Sequence, residues 1–363
     1  MNTQIKVMLC DDSSTMRRLI KAALKKEPRL NVVYEAKDGQ DAINNLERAC
    51  PDIVVMDVEM PVMDGIVATR EIRRRKPSLP IVMFSSLTQR GAEATLDAIS
   101  AGANGFAVKP AASGHIDNAL EQLKTDLLPK LLHLVDAKLK TKLRKTVVTK
   151  RRPIANESPS KSNHRVDAIA IGVSTGGPDA LAKLLLDIPK TLPVPILIAQ
   201  HMPPVFTELL AKRLSARTGH RVREAVDGEI VTSGRVFLAP GDYHLTVGRR
   251  GTSVRVQLNQ EPAENSCRPA VDPLFRSVAE CFGRHAIGLV LTGMGEDGAL
   301  GAAEIKSSGG TVIVQDQPSS VIWGMPGKVV SAGCADQILP LNQIAGELAR
   351  QVSRRPLRSA TSV

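Results

Sequence analysis

The sequence predicts two α/β domains, each built on a doubly wound parallel sheet, joined by a basic linker. A length of 363 residues exceeds that of a typical single domain. In both halves, short apolar runs alternate with amphipathic, helix-like stretches, which is the pattern of repeated β-α units. A segment rich in Lys and Arg separates the halves. The predicted ranges are a first domain over 1–125, a linker over 126–164, a second domain over 165–350 and a tail over 351–363.

The composition favours a folded cytoplasmic protein. Hydrophobic residues make up 43% of the chain and charged residues 23%, whereas aromatic residues make up only 2%. The core must therefore be mainly aliphatic, and few rings are available to stack on single-stranded nucleic acid. The apolar runs are shorter than the ~18 residues of a membrane span, and the N-terminus lacks the pattern of a signal peptide. The five cysteines are scattered without a CxxC pair, which fits a reducing compartment.

Most of the net charge of +11 belongs to one segment. Residues 136–165 hold ten Lys and Arg residues against two acidic ones. The same segment contains Pro and Ser residues and little apolar periodicity. It is therefore interpreted as a solvated linker and not as a nucleic-acid-binding face.

The first half contains five apolar runs, each followed by polar residues. The runs are IKVMLC, LNVVYEA, DIVVMDV, PIVMFSS and NGFAVKP, with segments such as TMRRLIKAALKK and GQDAINNLERA between them. Because the carboxyl ends of parallel strands meet at one edge of the sheet, the residues that follow them should converge there. Those residues are Asp11, Asp12, Asp57, Ser85 and Lys109.

This convergence predicts a phosphate-accepting site. Three carboxylates at one edge repel one another, and a divalent cation with a preference for oxygen, such as Mg²⁺, would relieve the repulsion. Lys109 could bind a phosphoryl oxygen, and the Ser85 hydroxyl could donate to the same group. The alternative is a simple α/β domain with incidental acids at its edge.

The set formed by Asp11-Asp12, Asp57 in VVMDVEMPVMDG, Ser85 in MFSS and Lys109-Pro110 resembles a response-regulator receiver domain. That resemblance implies a flavodoxin-like fold in which a histidine kinase is the phosphodonor of Asp57. It also implies a switch and a magnesium site. The switch residues are Ser85, Phe106 and Lys109, and the metal ligands are Asp12, Asp57 and the backbone carbonyl of Glu59, with Asp11 assisting.

In the second half, three apolar runs end close to residues with catalytic chemistry. VDAIAIGVS ends at Ser174, PVPILIAQH ends at His201, and AIGLVLTGMGEDG carries Asp297. GGTVIVQD forms a further strand, DALAKLLLDIP and DPLFRSVAECFG have helical spacing, and RVFLAPGDYHLTV looks like a hairpin insertion. The pattern predicts a second parallel α/β domain.

A nucleophilic serine needs a base and an orienting carboxylate, and these strand ends could supply them. Ser174 precedes a glycine turn and a helix, a setting that can stabilise an oxyanion or, alternatively, bind phosphate. His201 is the first candidate for the base, because His220, His244 and His285 are more simply explained as surface or packing groups. The favoured acid is Asp297, with Asp316 second and Asp242 a further rival. Cys267 is interpreted as structural or incidental.

The motifs GVSTGGP, AQHMP, LTGMGEDG and SSVIWGMP resemble the catalytic domain of chemotaxis protein-glutamate methylesterases. This resemblance implies a Rossmann-like α/β esterase domain and assigns its site. Ser174, His201 and Asp297 would form the catalytic triad. The main-chain N–H of Met294 would contribute to the oxyanion hole, and Thr175, Gly176 and Gly177 would shape the turn.

Together the two resemblances imply a phosphorylation-activated hydrolase of chemotaxis. It would remove methyl esters from glutamates of methyl-accepting chemoreceptors, deamidate specific glutamines, and receive phosphate from the chemotaxis histidine kinase. Mg²⁺ would serve the receiver, whereas the ester chemistry would need no cofactor. Neither nucleic acid nor a transmembrane segment is expected. The alternative is a response regulator whose output domain binds DNA or has no catalytic activity.

Overall fold

The structure is a computed structural model that describes residues 4–110, 115–146 and 165–353. The chain divides into two compact units between Thr141 and Lys142. Residues 147–164 of the expected linker and residues 354–363 of the expected tail lie outside the described residues. Within the described ranges, none of the helices combines the length and the apolar character needed to span a membrane.

The first unit contains a five-stranded sheet in the order β2-β1-β3-β4-β5, and every strand pair is parallel. This confirms the doubly wound sheet predicted from the five apolar runs. Every residue of β3 and β4 is buried, which explains why both runs are continuously apolar. The strands are β1 Ile5–Cys10, β2 Leu30–Ala36, β3 Ile53–Asp57, β4 Ile81–Ser85 and β5 Gly105–Val108. The helices are α1 Ser14–Leu24, α2 Gly39–Ala49, α3 Gly65–Arg75, α4 Gln89–Ser100 and α5 Ile116–Gln122.

The helices at the carboxyl edge of this sheet begin at side-chain caps. Asp64 accepts a hydrogen bond from the Val67 N–H at the start of α3, and Thr88 accepts one from the Gly91 N–H at the start of α4. Such caps satisfy main-chain donors that the first helical turn leaves unpaired. They fix the loops that follow β3 and β4, where the predicted site lies.

The beginning of the expected linker is helical, which corrects the predicted boundary at residue 126. A π-helical turn at Leu123–Leu127 leads directly into α6, Leu128–Thr146. Leu127, Leu131, Leu134 and Val135 are buried at helical spacing. The side chains of this apolar stripe are buried, so the chain continues as helix where its basic composition suggested a hinge.

The second unit contains a seven-stranded parallel sheet in the order β14-β13-β12-β6-β7-β9-β8. It confirms the second predicted α/β domain. The strands are β6 Ala168–Val173, β7 Ile196–Gln200, β8 Arg221–Glu224, β9 Arg235–Leu238, β12 Ala286–Val290, β13 Thr311–Gln315 and β14 Gln337–Leu339. The helices are α7 Gly177–Asp187, α8 Phe206–Thr218, α9 Val271–Phe282, α10 Ala299–Ser307, α11 Met325–Ser331 and α12 Leu341–Val352.

The hairpin insertion lies further along the chain than predicted. It consists of β10 His244–Arg250 and β11 Ser253–Asn259, which pair in antiparallel fashion. Arg235–Leu238, which the sequence placed in the hairpin, is instead strand β9 of the main sheet. Strand β9 is mostly buried and pairs with β7 and β8. The local alternation of apolar and polar residues does not reveal such a pairing with strands outside the segment.

The strand order creates a switch point at β6. From β6 the chain moves first to β7 on one side and only later to β12 on the other. The crevice at the carboxyl ends of such strands is where open α/β sheets place their functional groups.

Candidate functional site

In the first unit, four predicted residues come together at the carboxyl edge of the sheet. One carboxylate oxygen from each of Asp11, Asp12 and Asp57 lies within 4.8 Å of the others. Lys109 Nζ lies 2.9 Å from Asp11 Oδ2 and 2.6 Å from Asp57 Oδ2. The structure therefore builds the acidic cluster, with a lysine, that the strand-end rule predicts.

The electrostatics of this cluster suit a divalent cation. Asp57 is only 3% exposed, and burial raises its pKa to about 6 even though Lys109 acts in the opposite direction. The buried Asp11 Oδ2 receives no well-directed hydrogen bond from the described residues, despite its ion pair with Lys109. An unsatisfied carboxylate oxygen among three carboxylates matches the hard oxygen donors that Mg²⁺ prefers.

Two of the predicted switch residues, Ser85 and Phe106, lie on β4 and β5, on the same side of the strand that ends at Asp57. The Ser85 hydroxyl is buried and donates to the Gly91 carbonyl at 3.0 Å. Phe106 is half-buried, and Lys130 Nζ stands 5.4 Å from its ring centroid. The side chain of Glu59 pairs with Arg90 at 2.9 Å, away from the cluster, which leaves only its main chain beside Asp57.

In the second unit, the strand order brings Ser174 and His201 to neighbouring strand ends, next to the loop that carries Asp297. Ser174 follows β6 and His201 follows β7, while Asp297 lies in the loop after β12. The His201 N–H donates to the Val173 carbonyl at 3.2 Å, and the Ser174 N–H donates to the Thr292 carbonyl at 3.0 Å. Main-chain hydrogen bonds thus tie the Ser174 segment to the strand ends on both sides of it.

The turn after Ser174 requires glycine. Gly176 has a φ of +83°, in the left-handed region, and a Cβ at Gly177 would lie 1.9 Å from Gln200 Oε1. The Gly177 N–H donates to the Ser174 carbonyl at 2.8 Å, which closes the turn as α7 begins.

Gln200 is a site residue that the sequence analysis missed. Its buried amide Nε2 donates to the carbonyls of Ser174 at 3.1 Å and His201 at 3.3 Å. One side chain therefore holds the main chains of both residues. The AQHMP motif contained this glutamine, but no local pattern indicated where its amide would point.

His201 and Asp297 form a buried pair, with His201 Nε2 lying 2.7 Å from Asp297 Oδ2. The Asp297 carboxylate also accepts main-chain hydrogen bonds from Val271 at 2.7 Å, Asp272 at 3.0 Å and Gly298 at 2.9 Å. Burial acts to raise the pKa of Asp297, but these hydrogen bonds and His201 hold it below its usual value. Burial acts to lower the pKa of His201, but hydrogen bonds to Asp297 and Cys267 raise it.

The rival acids and histidines make other contacts. Asp316 accepts a hydrogen bond from the Ser319 N–H at 3.0 Å, and Asp242 pairs with Arg268 at 2.7 Å. His244 is buried beside the Pro262 carbonyl. His220 was expected at the surface but is also buried. It follows the end of α8, and its Nε2 lies 3.2 Å from the Ile188 carbonyl oxygen.

The fold places Cys267 near His201, although no histidine is near it in sequence, and its sulfur contributes to raising the pKa of the imidazole. The hydroxyl of Ser174 makes no hydrogen bond with any described residue. Catalytic hydrogen bonds are often long or unformed before substrate binds.

Two main-chain donors beside Ser174 are available to a ligand. In the ranges described here, the N–H groups of Met294 and Thr175 donate no hydrogen bond to another residue. Met294 is half-buried and follows Gly293, where an added Cβ would lie 2.9 Å from the Ser174 Cβ. The predicted oxyanion donor is thus on the strand end next to the serine.

Comparison with known proteins decides the family. Residues 169–348 match the sequence model of the CheB methylesterase domain, and residues 7–121 match that of the response regulator receiver domain. A protein-glutamate methylesterase/protein-glutamine glutaminase of Trichodesmium erythraeum is 46% identical over 352 residues, which cover 96% of this chain and 99% of that protein. The chain belongs to the CheB methylesterase family.

Further relatives agree with this membership. A Nocardioides protein of the same name is 43% identical over 357 residues, covering 97% of this chain and 96% of its own. The crystal structure of the Thermotoga maritima CheB methylesterase catalytic domain is 42% identical and has a TM-score of 0.50, covering 52% of this chain and 99% of that one. Both resemblances predicted from the motifs are confirmed.

The first prediction concerns the buried charge at Asp57. A folded-state pKa raised from 3.8 to about 6 means that the unfolding free energy falls as pH rises through that window. Asp57→Asn removes this titration and should stabilise the first unit by about 1–3 kcal/mol at pH 7.5, with the gain vanishing below about pH 4. Calorimetry of the full chain with a chelator present measures this change in unfolding free energy.

The exposed control Asp117→Asn should change stability by less than about 0.5 kcal/mol. Equal shifts in both variants, or a gain that grows in acid, would contradict the assignment.

Proposed function

We propose that the chain is a phosphorylation-activated protein-glutamate methylesterase that acts on methyl-accepting chemoreceptors. The observation that carries the proposal is the buried His201–Asp297 pair on the strand ends that flank Ser174. The names of the relatives, which match over nearly the whole chain, support the substrate class and the additional glutaminase activity. Sensory adaptation in chemotaxis is the corresponding cellular role, in the cytoplasm.

In the proposed reaction, Ser174 Oγ attacks the carbonyl carbon of a glutamate methyl ester. Because His201 Nε2 faces Asp297, the other ring nitrogen, Nδ1, accepts the hydroxyl proton once the serine side chain turns toward it. The tetrahedral intermediate expels methanol, which takes that proton from the imidazole. Water then attacks the acyl-serine with the same base, releases the glutamate carboxylate and restores Ser174. Deamidation of glutamine follows the same route with ammonia as the leaving group.

Asp297 and the neighbouring main chain supply the electrostatic part. The carboxylate holds the imidazole in the tautomer with a basic Nδ1 and stabilises the imidazolium that forms. The N–H of Met294 donates to the oxyanion, and Thr175, Gly176 and Gly177 keep the serine turn in place. A base of this kind contributes ~10²–10⁴-fold in rate, and one oxyanion donor about 3 kcal/mol.

Regulation is assigned to the first unit. Asp57 is the phosphate acceptor, with the chemotaxis histidine kinase as donor, and Lys109, whose Nζ lies 2.6 Å from Asp57 Oδ2, would bind a phosphoryl oxygen. Asp12, Asp57 and the Glu59 carbonyl, assisted by Asp11, would hold Mg²⁺, which when bound neutralises charge at the acceptor. Ser85 would exchange its hydrogen bond to Gly91 for one to the phosphoryl group, and Phe106 would move with it.

A second prediction tests the nucleophile. Ser174→Ala should reduce methanol release from methylated receptor membranes by roughly 10³-fold or more, because no other hydroxyl takes its place. The exposed serine variant Ser233→Ala serves as the matched control and should retain full activity. Activity of Ser174→Ala near that of the control would refute the proposed hydrolase.

A third prediction tests phosphorylation control. A small acyl phosphate together with Mg²⁺ should increase methanol release by the unmodified protein several-fold. Asp57→Asn should lose this stimulation while keeping the basal rate, since only the acceptor carboxylate is removed. Stimulation of equal size in both proteins would show that Asp57 is not the acceptor.

A further inference from the structure

A tight turn in the segment between β11 and α9 lies next to Asp297 of the His201–Asp297 pair. The Cys267 N–H donates to the Glu264 carbonyl at 2.9 Å, and the two residues between them have positive φ angles, +51° at Asn265 and +60° at Ser266. This is the backbone of a type I′ turn, which asparagine tolerates and serine does not favour. Two consecutive left-handed residues other than glycine mark a turn that its surroundings hold in a costly conformation.

Two ion pairs that involve arginine hold this turn in place. Before it, Glu264 pairs with Arg276 of α9 at 3.0 Å. After it, Arg268 pairs with Asp242 at 2.7 Å and donates to the main chain of residues 260 and 261. The position of the turn relative to α9 is therefore set from both sides.

The turn places the Asn265 amide between two buried carboxylates. Asn265 Nδ2 lies 3.2 Å from Asp272 Oδ2 and 3.2 Å from Asp297 Oδ1. An amide nitrogen carries two hydrogens, so it can donate one to each carboxylate. The other oxygen of Asp272 accepts from the Gly301 N–H at 2.7 Å.

The amide separates two like charges in a region that is poor in solvent. Asp272 and Asp297 are each 1% exposed, and burial, with Asp297 adding to it, raises the pKa of Asp272 to about 6. Around the pair, the titratable groups are His201 and Cys267 on one side and Arg276 on the other. Without the amide, the two carboxylates would face each other with no hydrogen-bond donor between them, and their repulsion would turn Asp297 away from His201.

We propose that Asn265 is a positioning residue of the esterase: it bridges Asp272 and Asp297 and thereby keeps Asp297 aimed at His201. The proposal rests on the proposed hydrolase and adds a residue that acts through Asp297 without touching the substrate.

The test replaces Asn265 by glycine, which accepts the positive φ and removes the side chain that carries the amide. Asn265→Gly should lower kcat for methanol release by about tenfold or more, the size expected for one hydrogen bond to a charged group, and leave KM near its original value. Weaker stabilisation of the imidazolium lowers the His201 pKa. Because activity is lost as pH falls through that pKa, the acid limb of the kcat profile should move to lower pH.

The matched control is Ser266→Gly, which relaxes the same turn and keeps the amide. It should retain the kcat and pH profile of the unmodified protein. Equal behaviour of the two variants, whether both are active or both impaired, would overturn the proposal, because the turn and not the amide would then matter.

A rescue variant separates positioning from general loss of structure. Adding Asp272→Asn to Asn265→Gly removes one of the two facing charges, so kcat should recover at least part of the loss and the acid limb should move back. A double variant no better than Asn265→Gly would also overturn the proposal. Ser174→Ala measured alongside distinguishes the two failures: if it is inactive while Asn265→Gly is unimpaired, only the positioning role is wrong.

Discussion

The hydrogen bond between His201 and Asp297 depends on one constraint, the parallel order of β12, β6 and β7. These strands bring three distant chain segments to one edge, where His201 Nε2 meets Asp297 Oδ2 at 2.7 Å. A charge pair buried at that depth is stable only with further partners. The main-chain donors of Val271, Asp272 and Gly298 provide them. The start of α9 is therefore as much a part of the site as the strand ends are.

The same rule produces a different chemistry in the first unit. There the strand ends carry acids and one lysine, and burial raises the pKa of Asp57 although Lys109 compensates part of the charge. Such a site suits the divalent cation and the phosphoryl group proposed for it. In the second unit, main-chain hydrogen bonds stabilise the charged form of Asp297, so its carboxylate can orient a base. One sheet architecture thus supports a phosphate acceptor and an ester-hydrolysing site.

Strand ends were predictable from the sequence, whereas contacts made by loops were not. Asp57, Ser174 and His201 each follow an apolar run, so the rule for parallel sheets was enough to bring them to an edge. Gln200 and Asn265 act through amides whose direction depends on tertiary packing, and Cys267 reaches His201 only through the turn before α9. The start of α6 was missed because basic residues outweighed a short apolar stripe. Strand β9 was missed because its partners lie far away in sequence.

The central claim is that Ser174 is the nucleophile and that the His201–Asp297 pair activates it. The most direct measurement is mass-spectrometric mapping of the adduct formed with a fluorophosphonate, a reagent that labels activated serines. The account predicts a single adduct on Ser174 in the unmodified protein and labelling at least ~10²-fold slower in His201→Gln, the lower end of what a general base contributes. Equal labelling of both proteins, or an adduct on another residue such as Cys267, would contradict it.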